Sequence, residues 1–279
     1  MKILKGIFLC LLVVQIGCKP AVEKQDERYE VAEPSEDKMV EEVVEAKRVN
    51  ISPSKQEETF TLAYLMGKFD PAKHASFVKI EPPYADNNER YLRKDTYEAF
   101  KKMHEAAQKD GIKLTIISAT RNFESQKGIW EAKWNGQRLV GDENISQTIP
   151  DPRQRALKIL EYSSMPGSSR HHWGTDVDLN ELNDAHFQSG VGKKTYQWLR
   201  AHAAEYGFCQ PYSPKGADRP AGYNEEKWHW SYMPVAKKLT ALAAQQLKDN
   251  MIDGFKGSET AKSIGIVEKY VLGINQECL

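Results

Sequence analysis

The chain has no excess of either charge: 39 Lys and Arg stand against 39 Asp and Glu, for a net charge of zero and a pI near 7.1. Binding a phosphate backbone needs a surplus of basic residues on one face, so nucleic acid is excluded as a partner. Cysteine is scarce, four in 279 residues. Cys10 and Cys18 fall in the first 18 residues, which leaves Cys209 and Cys278. These suffice for one disulfide in an oxidising compartment, and not for a disulfide scaffold. There is no internal repeat and no regular alternation of strand and helix, which excludes solenoids and a parallel doubly wound sheet.

Long apolar runs are also missing, except at the start. In MKILKGIFLCLLVVQIGC, basic Lys2 and Lys5 precede an apolar run from Ile7 to Val14, and small Gly17 precedes Cys18. The run is too short for a comfortable membrane span, and its pattern is that of a secretory signal. The cysteine after glycine points to a lipoprotein signal with Cys18 as the lipidated residue, although Gln15 and Ile16 depart from the usual Leu and small residue. The expectation is an exported lipoprotein, anchored in a membrane and facing the periplasm or cell envelope.

Residues 19–58 are rich in Glu, Lys, Pro and Ser and nearly free of aromatics. Such a segment buries too little apolar surface to offset its ordering entropy, and reads as a tether. Apolar patterning begins at ETFTLAYLMGKF, so a domain is expected over 59–235, followed by a helical extension over 236–279. Asp95 is the expected N-cap of a helix through Lys109, with Tyr97, Phe100, Met103 and Ala107 on one face and Gly111 as its stop. KLTIISATR reads as a strand ending at Ser118, and Ser125 to Trp134 and Pro152 to Tyr162 read as helices. TDVDLN and KWHWSYM read as strands, with helices over Lys193 to Tyr206 and Pro234 to Asp249. The mixture indicates an α+β fold.

The chemistry concentrates in SSRHHWGTDVDLN, residues 168–180, a stretch whose polarity argues against a core position. Catalytic zinc takes three protein ligands, commonly imidazole and carboxylate, and keeps a fourth position open. His171 and Asp178 are seven apart across Gly174, so a tight reversal brings them together. Strand period two places Asp176 and Asp178 on one face and Val177 and Leu179 on the other. EEKWHWSY offers a third ligand, His229, on the face opposite Trp228 and Trp230. Glu226 precedes it by three, so the chain must bend near Lys227 if Glu226 is to act as base on a metal-polarised water. On spacing alone, His172 competes with His171 and Asp176 with Asp178.

PGSSRHHWGTDVDL, EKWH and SATRNFESQ together resemble the motifs of the VanY-type zinc D-alanyl-D-alanine carboxypeptidases, which share a fold with the hedgehog signalling domain. The resemblance spans roughly Thr59 to Tyr232. It implies a hedgehog/DD-peptidase-like domain with a central antiparallel sheet flanked by helices. It also implies Zn2+ held by His171, Asp178 and His229, with Glu226 as general base and Arg121 stabilising the oxyanion. Ser169 and Gln126 would touch substrate. The expected substrates are peptidoglycan stem peptides, the expected reaction removal of a terminal D-alanine, and the expected state a monomer. The alternatives are an L,D-carboxypeptidase, a cross-link endopeptidase, or a non-catalytic zinc-stabilised wall-binding module. Three positions depart from the family pattern. Asp176 replaces the usual Ala, as an acceptor for a ligand imidazole or as a solvent-facing group, while Thr120 and Asn122 replace residues that are often aromatic and Ser. The stretch from Gly128 to Met165 is a candidate cleft wall, with Trp130 and Trp134 as ligand surfaces or, in the blander reading, core.

Overall fold

The computed structural model describes residues 59–86 and 89–279. The signal segment, Cys18 and the 19–58 tether therefore lie outside the described residues. Helix α1 (Leu62–Leu65) leads into strands β1 (Phe77–Lys79) and β2 (Tyr91–Arg93), an antiparallel pair. Helix α2 (Lys94–Lys109) buries Tyr97, Phe100, Met103 and Ala107 as their spacing predicts, with His104 between them. It begins one residue before Asp95, so that carboxylate caps nothing as an N-cap. Instead it sits in the first turn, where it accepts from the Thr96 amide at 2.7 Å and pairs with Arg93 at 2.9 Å, favourably placed against the helix dipole.

Strand β3 (Ile116–Ser118) is followed by α3 (Phe123–Trp134), whose N-cap Asn122 accepts from the Ser125 amide. Next come α4 (Ile145–Thr148) and α5 (Pro152–Ile159), the latter capped by Asp151 with proline at its first position. Strand β4 (Asp176–Leu179), helix α6 (Gly190–His202), strands β5 (Phe208–Cys209) and β6 (His229–Tyr232), and helix α7 (Met233–Gln246) complete the expected order. A short α8 (Ala261–Ile264) lies in the C-terminal segment.

The larger sheet runs β3-β4-β6-β5, antiparallel throughout. Alternation gives it two unlike faces. Val177, Leu179 and Trp230 join Phe100, Met103, Leu199 and Phe208 in one apolar cluster. Each such side chain contributes roughly 1.5–3 kcal/mol by leaving water, which holds the strands in a single register. Asp176, Asp178, His229 and Ser231 occupy the other face, and the pairing sets Asp176 opposite Ser231 and Asp178 opposite His229.

The C-terminal segment joins the second apolar cluster, where Phe255, Ile264, Val271 and Ile274 pack with Trp130 and Trp134. Both tryptophans are therefore core, not ligand surfaces; Trp130 is fully buried and its indole donates to the Lys256 carbonyl at 2.9 Å. Residues 236–279 thus brace α3. A Cys209–Cys278 disulfide, 69 residues apart in sequence, ties the end of the chain to the edge strand β5.

Candidate active site

The polar face of the sheet carries the chemistry. Register puts Ser118, Asp178 and His229 in one row across β3, β4 and β6. His171 arrives from a one-turn 3-10 helix, Arg170–Trp173, which Gly174 ends at φ +71°. A Cβ at Gly174 would stand 2.4 Å from the Phe77 ring, so the reversal into β4 demands glycine. His171 Nε2 then lies 3.3 Å from Asp178 Oδ2, and His229 Nδ1 lies 3.0 Å from Asp178 Oδ1. One ligand atom from each residue falls within 4.8 Å of the others.

Bonds on the far side of each ring decide what faces inward. His171 Nδ1 is 2.8 Å from the Ala119 carbonyl, which can only accept, so the proton sits there and Nε2 turns a lone pair toward Asp178. His229 Nε2 donates to Asp176 Oδ2 at 2.8 Å, which turns Nδ1 toward Asp178. Asp178 Oδ1 is buried and accepts no hydrogen bond. Two ring nitrogens and a carboxylate converging on one point call for positive charge there, as a proton on His229 or as a metal cation. Two nitrogens and one carboxylate form a donor set that catalytic zinc uses, so the residues fit the metal.

The electrostatics agree. Burial pulls the His229 imidazole down, but the Asp176 and Asp178 carboxylates beside it outweigh burial and lift the pKa to about 9, so the pocket favours positive charge beside that ring. Burial opposes ionisation of Asp178, yet His171 and His229 hold its carboxyl well below the usual range. His171 is pushed down by burial and by the Arg121 charge, and stays neutral.

Asp176 is not solvent-facing. It is fully buried and accepts from four donors: Thr175 Oγ1 at 2.6 Å, Ser231 Oγ at 2.7 Å, His229 Nε2 at 2.8 Å and Arg170 Nε at 3.2 Å. Arg170, also fully buried, donates onward to Thr240 and Ser231. A carboxylate behind a ligand imidazole fixes the ring's tautomer and orientation. His172 instead braces the loop around the centre. Its Nε2 accepts from the Gly167 amide at 3.0 Å, its Nδ1 meets the Arg121 carbonyl, and burial lowers its pKa to about 3. The stretch expected outside the core is buried from Ser168 to Leu179, because nearly every polar group in it has a partner.

Glu226 reaches this centre through the bend that the sequence requires, with the His229 amide donating to the Glu226 carbonyl. Its carboxylate lies 3.5 Å from His229 Nδ1 and is 5% exposed. Burial, reinforced by the Asp178 charge, raises its pKa to about 8, so it can hold or release a proton near neutrality. The bend also brings Trp228 into the cavity lining beside His229, whereas strand alternation placed the two on opposite faces. Arg121 follows β3; its Nε donates to Gln126 Oε1 at 2.9 Å, while Nη1 donates to Ser118 Oγ and lies 3.5 Å from Asp178 Oδ2. Among the described residues Nη2 has no partner, and the side chain lines the cavity.

The cavity encloses about 430 Å³ and is lined by His171, Asp178, Glu226, His229, Arg121 and Gln126 together with α3, the loop that follows α3 and the loop that follows α5. Those loops form the expected wall. Gln126 is committed at both ends of its amide, since Nε2 donates to the Ser164 carbonyl at 2.8 Å, and it steadies Arg121. Ser169, expected against substrate, is 1% exposed, sits at the N-cap position of the turn that carries His171 without a side-chain cap hydrogen bond, and does not line the cavity. Sequence reasoning missed Arg170, Lys133 and Tyr212. Arg170 and Asp176 are opposite charges six apart across the Gly174 reversal, and Lys133 lies seven beyond Gln126 on one helix, so both left a signal. Tyr212, whose ring centroid is 4.6 Å from that of His229, left none.

Known proteins are similar to this chain. The family model for the D-alanyl-D-alanine carboxypeptidase VanY matches residues 89–235, more than half of the chain. The Bacillus subtilis (strain 168) protein named "Putative carboxypeptidase YodJ" is 31% identical over 167 residues, covering 58% of this chain and 51% of its own. The chain thus spans about half the length of that relative. Among solved structures, a mutant of the vancomycin resistance D,D-pentapeptidase VanY in complex with Zn(II) is similar at 23% identity and TM-score 0.41, over 55% of this chain and 82% of its own. The LD-carboxypeptidase LdcB is similar at 22% identity and TM-score 0.43, over 73% and 81%. On the extent of the family match, the chain belongs to the VanY D-alanyl-D-alanine carboxypeptidase family.

Proposed function

We propose that the protein is a zinc-dependent carboxypeptidase that removes the terminal D-alanine from peptidoglycan stem peptides. The observation that carries this reading is the meeting, in one cavity, of three inward-facing metal donors with a protonatable Glu226 and the free edge of the Arg121 guanidinium. His171, Asp178 and His229 would hold a zinc ion, which would supply the Lewis acidity that lowers the pKa of water toward neutrality.

The chain's own residues do the rest. Glu226 takes the attacking water's proton and returns it to the leaving amine. Arg121, held by Gln126 and Ser118, presents its guanidinium to the developing oxyanion, where a fixed donor in a water-poor site is worth most. Asp176 and the Ala119 carbonyl keep both imidazoles in the ligating tautomer. In this reading the protein is exported as a monomer, with lipid on Cys18 and the 19–58 tether keeping the domain near its polymeric substrate. A lipoprotein's several chains anchor far better than one.

The test is D-alanine release from a pentapeptide stem by the zinc-loaded protein, with a chelated control and with tetrapeptide and cross-linked dimer as competing substrates. Glu226→Gln should keep zinc and lose roughly 10²- to 10⁴-fold in turnover, and Arg121→Ala roughly 10²- to 10³-fold. Zinc binding with no release from any of the three substrates would instead favour a wall-binding module.

A further inference from the structure

Helix α3 turns Gln126, Ile129 and Lys133 toward the cavity, the spacing of one helical face. Gln126 is used up on Arg121. Lys133 stands two turns further on, about 10 Å along the axis, and its ammonium has a single, neutral partner, the Ser163 hydroxyl. No carboxylate pairs with it among the described residues. Its environment is costly for a charge: burial, with the nearby Arg138 and Arg121, outweighs the attraction of Glu226 and pushes the amine down to about 8. A cation drawn into a protein wall is normally paired, because desolvation without a counter-charge is unfavourable.

No carboxylate of the cavity forms an ion pair with Lys133, and Glu226 acts on the amine only through space. Of its lining carboxylates, Asp178 faces the metal donors, Glu226 is the base, and Asp184 pairs with Lys227 at 3.2 Å. Arg121, Lys133 and Arg138 all line the same space, and Arg138, exposed at the rim, has no ion pair among the described residues. The site therefore carries cationic wall in excess of its available anions. It is built for an anionic group that arrives with the ligand.

We propose that Lys133, with Arg138 beside it at the rim, pairs with the free C-terminal carboxylate of the substrate and so restricts the enzyme to chain ends. This rests on the carboxypeptidase reading, in which the released residue carries that carboxylate one residue from the scissile carbonyl. It deepens that reading by assigning the selection of chain ends over internal bonds to a named side chain. The competing role for Lys133 is electrostatic tuning of Glu226, which would act on every substrate alike.

The experiment separates binding from turnover. In a zinc-loaded Glu226→Gln background, calorimetry measures the affinity of a stem pentapeptide as its free acid and as its C-terminal amide, with Lys133 intact, as Lys133→Met and as Lys133→Arg. A charge-assisted hydrogen bond predicts that the acid binds roughly 10- to 100-fold tighter than the amide. Lys133→Met should bring the two within about threefold by weakening the acid alone, and Lys133→Arg should restore part of the difference. Equal affinities with Lys133 intact, or an acid preference that survives in a folded, zinc-loaded Lys133→Met variant, would overturn the proposal. So would an equal loss for acid and amide together with a shifted pH profile of turnover in the otherwise native enzyme, which would assign Lys133 to Glu226. Release of D-alanine by the native enzyme is scored separately, so a failed carboxypeptidase reading is distinguishable from a failed role for Lys133.

Discussion

Replacing Asp176 with Ala, the residue usual in the family, should be far from neutral in this chain. Asp176 accepts four hydrogen bonds at full burial, one from Arg170, which is itself fully buried. Truncation leaves Arg170 as an uncompensated buried cation and the Thr175 and Ser231 hydroxyls without their acceptor. Breaking a buried pair from one side costs about 3–5 kcal/mol, a large share of the roughly 5–15 kcal/mol that holds a typical domain. For a domain of this size that amounts to a fall in melting temperature on the order of 10 °C. Removing both charges in Arg170→Met/Asp176→Ala should recover most of the loss, because an apolar pair of similar volume tolerates the site. The double variant should still bind zinc roughly 10- to 100-fold more weakly in competition with a chromophoric chelator, since His229 Nε2 has lost the acceptor that sets its tautomer. Thr240→Val, which removes a partner of Arg170 and a donor to the Ala236 carbonyl but none of Asp176 or His229, should cost stability without that drop in affinity. The reasoning fails if Asp176→Ala melts within a degree or two of the parent, or if the double variant is no more stable than the single one.

Two further outcomes follow from the same structure. Glu226 has a folded pKa of about 8, above its unfolded value, so its contribution to stability is fully present below about pH 4.5 and is lost as pH rises through about 8. In chelated protein Glu226→Gln should therefore match the parent near pH 4 and exceed it in urea midpoint above pH 8; equal midpoints at both ends would show that the carboxyl is not held neutral. The Cys209–Cys278 bond closes a loop of 69 residues, for which chain entropy predicts roughly 4 kcal/mol of stabilisation. Reduction, or Cys278→Ser, should lower the melting temperature markedly, and an unchanged melt would show that the C-terminal segment docks without it.

Much of the centre was legible because it is local. The reversal at Gly174 and the period of β4 bring His171 and Asp178 together, and the bend before β6 sets Glu226 beside His229; each depends on neighbours within a few residues. The choice of His171 over His172 was not legible, since both rings follow the same turn and differ only in what lies beyond it: the Ala119 carbonyl for one, the Gly167 amide and Arg121 carbonyl for the other. Polarity also misled. Residues 168–179 resemble surface, yet they are buried because partners from β3, β6 and α7 satisfy them.

The sequence by itself determined the α+β class and the order of the elements, which follow from short-range periodicity, and its resemblance to the VanY-type motifs singled out His171, Asp178, His229, Glu226 and Arg121 as the candidate site residues. Tertiary structure decided the rest. It chose which ring nitrogens face inward, turned Asp176 from a solvent candidate into the anchor of His229, withdrew Ser169 from the cavity, and joined Cys209 to Cys278. It also left Lys133 in the cavity wall without an ion-pair partner among the described residues. Those outcomes depend on the register between strands distant in sequence and on how α3 and α7 pack around the sheet, and a buried polar group's partner is set by that packing rather than by its neighbours in the chain.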